Sequence, residues 1–212
     1  GARKFTKNER LDSVKNIRVV LTKKANAISL EATGSRGKVD FSEKLYRRVR
    51  TEIEVLKSPT LGELEISLKK DGIELAKIFE VTIALSGTGA LCSAQEPEVT
   101  KNAQKATDKL NNYLIEKAVT GSTVNFLASP VIGGGIGIDR FHQLFISAIK
   151  NGYRSPEQLA EFVWNVMLLQ NQKLTIKNKV LETTEDNLKE LEKGAGNFLD
   201  EYFQAFQNLK IC

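Results

Sequence analysis

The period of the apolar residues changes partway along the chain, and that change constrains the fold more than any other feature of the sequence. Before residue 86 the apolar positions alternate. Ile17, Val19 and Leu21 form one alternating run, and Ala27, Ile28 and Leu30 follow after a polar turn. Leu45, Val49, Ile53 and Val55 share one parity while Arg48, Arg50, Glu52 and Glu54 hold the other. Leu64, Ile66 and Leu68 alternate with Glu63, Glu65 and Ser67, and Leu75, Phe79, Val81, Ile83 and Leu85 continue beyond Asp71-Gly72. Period two buries one face of a strand and wets the other, and Asp-Gly favours a tight hairpin. These runs predict an antiparallel β-meander over residues 16–85, with Gly34-Ser35-Arg36-Gly37 as a loop.

After a small-residue stretch the spacing becomes helical. Val99, Ala103, Ala106, Leu110, Tyr113 and Leu114 recur at three and four, as do Ile138, Phe141, Leu144, Phe145, Ala148 and Ile149. Ser155-Pro156-Glu157-Gln158 is a helix start, in which Ser caps, Pro fills the first turn and Gln completes a capping box. Met167, Leu174, Leu181 and Leu188 fall seven apart and fit one long helix, or two with a break near Asn171 or Thr183. Gly194-Ala195-Gly196 is expected to stop a helix, with a Phe-rich one after it. The fold class expected is therefore α+β, with an antiparallel sheet in the N-terminal half and helices in the C-terminal half. Its organisation reads as a basic arm (1–15), a sheet (16–85), a linker (86–96) and a helical part (97–212) packed on the sheet as one domain.

The 212 residues are 41% apolar and 27% charged, which suits a globular domain with a core of its own. No run approaches the length of a membrane-spanning helix, and no signal-peptide pattern opens the sequence. Cys92 and Cys212 lie far apart and form neither a disulfide framework nor a metal motif. Two free thiols point to a reducing, cytoplasmic setting. Neither a metal nor another cofactor is expected. Charge is uneven: residues 1–50 carry 14 Lys or Arg against 5 Asp or Glu, and residues 181–212 carry 3 against 7. A basic head on a mildly acidic body suits an anionic partner or head-to-tail association between copies.

Three segments could carry chemistry. Lys44 to Arg50 is the densest basic cluster. On a strand, Tyr46, Arg48 and Arg50 would share a face suited to base stacking and phosphate contact, with Arg47, Lys23 and Lys24 adding to the patch. Arg36 and Lys38 could extend it. Against this, Glu52 and Glu54 continue the same face, and cross-strand ion pairs would neutralise it. His142, the only histidine, lies on an apolar helical stripe. Asp139, three residues before it, could orient its ring. The run Val131 to Ile138, with glycines at 133, 134, 135 and 137, lacks the Gly-Lys-Ser/Thr ending of a phosphate loop. It reads as close packing or a hinge.

The functional expectation is a non-catalytic interaction or assembly protein, a homo-oligomer that binds nucleic acid or another polyanion through Lys23, Lys24, Tyr46, Arg47, Arg48 and Arg50. Two alternatives stand beside it. One is an enzyme with its site at the glycine-rich loop near Asp139 and His142. The other is a membrane-surface or lipid-binding protein that uses the apolar residues of segment 121–138.

Overall fold

The structure, a computed structural model, describes residues 3–29, 31–34, 37–40, 43–121 and 124–212, with the backbone alone for 31–34 and 37–40. It is α+β. Its short strand pairs are all antiparallel among the described residues, and helices dominate the C-terminal half. The chain forms two compact units. Unit 1 comprises residues 1–101 and 130–133, and unit 2 comprises 102–129 and 134–212.

Unit 1 opens with α1 (Lys7–Lys15), started by a capping box between Thr6 and Glu9. Strand β1 (Val19–Leu21) is followed by a 3₁₀ turn at Ala25–Ala27 and by the hairpin β2 (Glu31–Gly34) and β3 (Gly37–Asp40). Then come α2 (Glu43–Leu56), α3 (Leu61–Leu68), a 3₁₀ turn at Lys69–Asp71, α4 (Leu75–Gly87) and β4 (Leu91–Ser93). Helix α5 (Pro97–Val119) begins in unit 1 and continues into unit 2.

Three of the expected strands, 45–56, 64–68 and 75–85, are helices. Leu45, Val49 and Ile53 lie four apart, a spacing that satisfies period two and period 3.6 alike. The buried set in α2 is Tyr46, Val49, Arg50 and Ile53, which is helical. Pairs Glu43–Arg47 and Arg48–Glu52, each four apart, exist only on a helix. In α3 the buried residues are Leu61, Leu64 and Leu68, with Thr60 and Glu63 as a second capping box. In α4 they are Leu75, Ile78, Val81, Thr82 and Leu85. The parity that alternation selected left Ile66 and Ile83 in solvent, at 77% and 57% exposure.

Among the described residues, 17–21 do not form a hairpin with 27–29. Strand β1 pairs with β4, in the register Val19↔Ser93, Val20↔Cys92 and Leu21↔Leu91, so the stretch taken for a linker holds a strand. Ala25 N donates to Glu54 Oε1 at 2.8 Å and Ile28 O accepts from Arg50 Nη1 at 2.5 Å, so this stretch is held against α2. Leu30, Ser35 and Arg36 lie outside the described residues. Gly72 has the left-handed conformation its Asp-Gly signal implied, at φ 69°, but it caps a helical turn between α3 and α4.

In unit 2, α5 is followed by the hairpin of β5 (Phe126–Ser129) and β6 (Gly134–Gly137), then α6 (Arg140–Lys150) and α7 (Pro156–Leu169). The short hairpin of β7 (Thr175–Ile176) and β8 (Lys179–Val180) precedes α8 (Thr184–Glu201) and α9 (Phe203–Asn208). The Ser155/Gln158 capping box starts α7 as read. The seven-residue repeat is not one helix. The chain breaks at both expected places, Asn171 with φ 52° and Thr183 as the N-cap of α8. Gly194-Ala195-Gly196 does not stop α8. Ala195 is fully buried and a Cβ at Gly194 would lie 3.8 Å from Phe145, so small residues here permit close approach rather than termination.

Unit 2 is organised by buried amides. Asn111 pairs with Ala128 like an adjacent strand. Its Nδ2 donates to Ala128 O and its Oδ1 accepts from Ala128 N, both at 2.8 Å. Gln143 Nε2 donates to Val124 O and Ile138 O. Asn187 Nδ2 donates to Leu181 O and Thr183 O, while its Oδ1 accepts from Leu174 N. No helix among the described residues is long and apolar enough to cross a membrane.

Candidate functional site

Because residues 43–56 are helical, the basic cluster splits between the two sides of α2. Tyr46 and Arg50 turn inward, at 5% and 3% exposure. Burial, and then the charge of Glu80, pushes the Tyr46 phenol up. Its ring belongs to the core, so the stacking role expected for it is withdrawn. Burial, and then the nearby charge of Arg47, lowers Arg50, whose Nη1 is committed to Ile28 O. Lys23 and Lys24, half-buried, sit in the turn after β1.

The outer side of α2 keeps the remaining cations. Lys44, Arg47 and Arg48 line a groove of about 620 Å³ with Leu45, Thr51, Asp71 and Ile73. Arg47 pairs with Glu43 one turn back. Arg48 is held harder, since Nη1 donates to Glu52 Oε2 at 2.6 Å and Nε to Asp71 Oδ2 at 2.9 Å. The hydrogen bond to Glu52 is the main reason the Arg48 pKa is raised. The Ser67 hydroxyl, followed by Arg48, holds Glu52 below the usual carboxylate range. Lys44 is exposed and has no ion pair among the described residues. Lys44 and Arg47 are thus the exposed cations of the groove, and Arg48, half-buried, is anchored by two carboxylates. The groove includes Arg47 and Arg48 of the expected set but not Lys23, Lys24, Tyr46 or Arg50.

All the net charge lies on the same side of the chain's division. Residues of unit 1 include 19 Lys or Arg against 14 Asp or Glu, and those of unit 2 include 12 against 12.

The pair expected in the second half does form. His142 Nδ1 lies 3.0 Å from Asp139 Oδ2, while Asp139 Oδ1 accepts the His142 backbone N–H and caps α6. Burial would raise the Asp139 carboxyl, but the hydrogen bonds and charge of His142, with the Phe141 N–H, outweigh it and hold it below the usual range. The imidazole packs among Phe145, Phe198, Tyr202 and Phe206, with the Tyr202 ring 4.9 Å away. The glycine-rich run is a hairpin, not a phosphate loop. Gly133 turns at φ 66°, and the Phe126 ring lies over Gly135 and Gly137. The helix that follows is already capped by a carboxylate. In segment 121–138, Leu127, Val131 and Ile138 are buried, Ile132 and Ile136 are half-buried, and Val124 and Phe126 are exposed.

Four side chains that organise these regions were not singled out from sequence: Asn111, Gln143, Asn187 and Arg140. Arg140 donates to Ala118 O, Gln170 Oε1 and Gln172 Oε1, tying the ends of α5 and α7 together. Among the described residues no cluster of His, Cys, Asp and Glu could hold a metal ion.

No protein-family model matches the chain, and no solved structure does. An uncharacterized protein of Synechocystis sp. (strain ATCC 27184 / PCC 6803 / Kazusa) is 34% identical over 191 residues. The match covers 90% of this chain and 37% of that protein, so the chain spans little more than a third of the relative's length.

Proposed function

We propose that this chain is a non-catalytic interaction module that associates with copies of itself and binds single-stranded nucleic acid through the groove on α2. The observation that supports this reading is the groove itself. Three cations, Lys44, Arg47 and Arg48, line one concavity with a single carboxylate, in the unit that holds the whole net charge. Phosphates would displace Glu43 from Arg47, an exposed pair that costs little to break. They would leave Arg48 in place as a fixed positive wall. Fluorescence anisotropy with a single-stranded RNA oligonucleotide across a salt series tests the proposal. Affinity should fall steeply with salt, at a slope of about −0.7 per phosphate contact. Lys44→Ala with Arg47→Ala should weaken binding and flatten the slope by about one to two units. Binding that is absent at low salt, or unchanged in the double variant, would refute it. The solution mass with and without RNA tests self-association.

A second reading, an enzyme using Asp139 and His142, is favoured by one contact, the 3.0 Å pairing of the Asp139 carboxylate with Nδ1 of the only histidine. The aromatic rings packed around that imidazole support a structural role better. His142→Ala should leave activity within an order of magnitude, whereas a loss of about a hundredfold or more with the fold intact would favour catalysis.

A further inference from the structure

A second concavity in unit 1, of about 530 Å³, lies apart from the groove on α2 and is lined by Arg18, Leu56, Ser58, Pro59, Glu63, Ile66 and Ser67. Its polar floor is under-satisfied. Among the described residues four buried side-chain atoms have no hydrogen-bond partner, and two of them, Arg18 Nε and Ser58 Oγ, belong to this one cleft. Buried polar groups are almost always paired, so two orphans at one site call for a partner the chain does not supply.

The Arg18 guanidinium is committed at one end only. Nη1 donates to Ser58 O at 2.5 Å. Its counter-ions are loose: Glu63 Oε2 stands 3.5 Å from Nη1 and Glu96 Oε2 stands 3.6 Å from Nη2. Glu63 is engaged elsewhere, since the same Oε2 accepts from Thr60 N at 2.6 Å to cap α3. Glu96 is 64% exposed and can swing away. The Nε–Nη2 edge, a two-donor fork matched to a carboxylate, is therefore left with one long contact. Beside it Leu56 and Ile66 stand 41% and 77% exposed.

We propose that this cleft binds a small aliphatic monocarboxylate, its carboxylate on the Nε–Nη2 edge of Arg18 and the Ser58 hydroxyl, its chain against Leu56, Pro59 and Ile66. The cleft size falls in the range of small-ligand sites. Glu63 and Glu96 nearby select a single negative charge over a phosphate dianion. Seating the ligand needs Glu96 to turn out and the cleft to open at Arg18 Nε and Ser58 Oγ, both of which are buried. The site is independent of the nucleic-acid reading, and neither stands or falls with the other.

Octanoate, below its micelle concentration, is the probe, and octanol is the control of equal length without the charge. Binding is followed by amide chemical shifts of the full chain at neutral pH. Saturable octanoate shifts at Arg18, Ser58 and Ile66, with octanol at least about tenfold weaker, are expected, because the charged hydrogen bonds supply the difference. Arg18→Met should weaken octanoate at least about tenfold by the same bonds. Because Arg18 also holds the Ser58 carbonyl, a fold-neutral variant is needed. Ile66→Asp on the exposed wall should abolish binding while the spectrum elsewhere stays unchanged. No saturable shift up to about 10 mM, a range that covers weak millimolar ligands, would overturn the proposal. So would equal binding of octanol, or octanoate binding unaffected by Ile66→Asp.

Discussion

The two units bury polarity in different currencies. Unit 1 puts charge inside: Arg50 Nη1 on the Ile28 carbonyl with its Nε unpaired, and Glu52 between Ser67 and Arg48. Unit 2 puts neutral amides inside, with Asn111, Gln143 and Asn187 all fully buried. A charge taken from water loses far more solvation than an amide does, and what it keeps depends on pH. Neutral amides bonded to backbone groups have no such dependence, although Gln143 Oε1 is left unpaired. Unit 1 therefore carries the net charge and the exposed cations that an anionic partner could use, while unit 2 is a charge-balanced framework held by side chains that mimic backbone.

The largest effect that would test this contrast is at Tyr46. If it is a core residue rather than a stacking platform, Tyr46→Ala should cost about 3–5 kcal/mol in denaturant unfolding followed by far-ultraviolet circular dichroism, the range for truncating a buried aromatic. A variant with wild-type stability and weakened RNA binding would restore the stacking role. Next is Asn187→Ala, which strands Leu174 N and Leu181 O, while Thr183 O keeps the backbone N–H of residue 187. About 2–3 kcal/mol should be lost. Fluorescence of Trp164, the single tryptophan and a buried residue of unit 2, reports it. A smaller loss is expected for Arg50→Met, about 1–2 kcal/mol, because the apolar stem is kept and only the bond to Ile28 O disappears. A gain in stability there would mean that burying the charge costs more than its hydrogen bond returns.

The smallest effect is the pH response. Glu52 is depressed below its ordinary value of 4.5 by Ser67 and Arg48. Its stabilisation is present above that value and is lost as the pH falls through the lower, folded one. Glu52→Gln should therefore lower the stability of wild-type protein at pH 7 and make little difference once the pH is below the folded value. Asp139, also depressed, gives unit 2 a parallel response. Asp139→Asn should show the same convergence at low pH in Trp164 fluorescence.

How far the sequence spoke differs between the units for physical reasons. Helix starts carry a local signal, and Ser155-Pro156-Glu157-Gln158 was legible as one. Thr6 to Glu9 and Thr60 to Glu63 carry the same signal, and Thr60 lies between two runs read as strands. Residues 45–56 were misread because apolar side chains four apart fit both periods. Only the tertiary environment, which takes in Tyr46 and Arg50, settles the choice. The basic cluster was legible as charge but not as direction, since a helix sends Arg48 and Arg50, two residues apart, to different sides where a strand would have aligned them. Asn111 and Asn187 gave no signal, because their backbone partners lie 17 and up to 13 residues away. The Asp139–His142 pair was legible because it is local, three residues within one helical start.

Hydrogen–deuterium exchange of the full chain, with and without a saturating single-stranded oligonucleotide at low salt, tests most directly that unit 1 carries the anion-binding surface. Added protection should appear on α2 over residues 43–51 and on the neighbouring turn at 69–73, with none at the glycine hairpin or the start of α6. Protection centred on residues 134–142, or none anywhere despite bound oligonucleotide, would contradict the account.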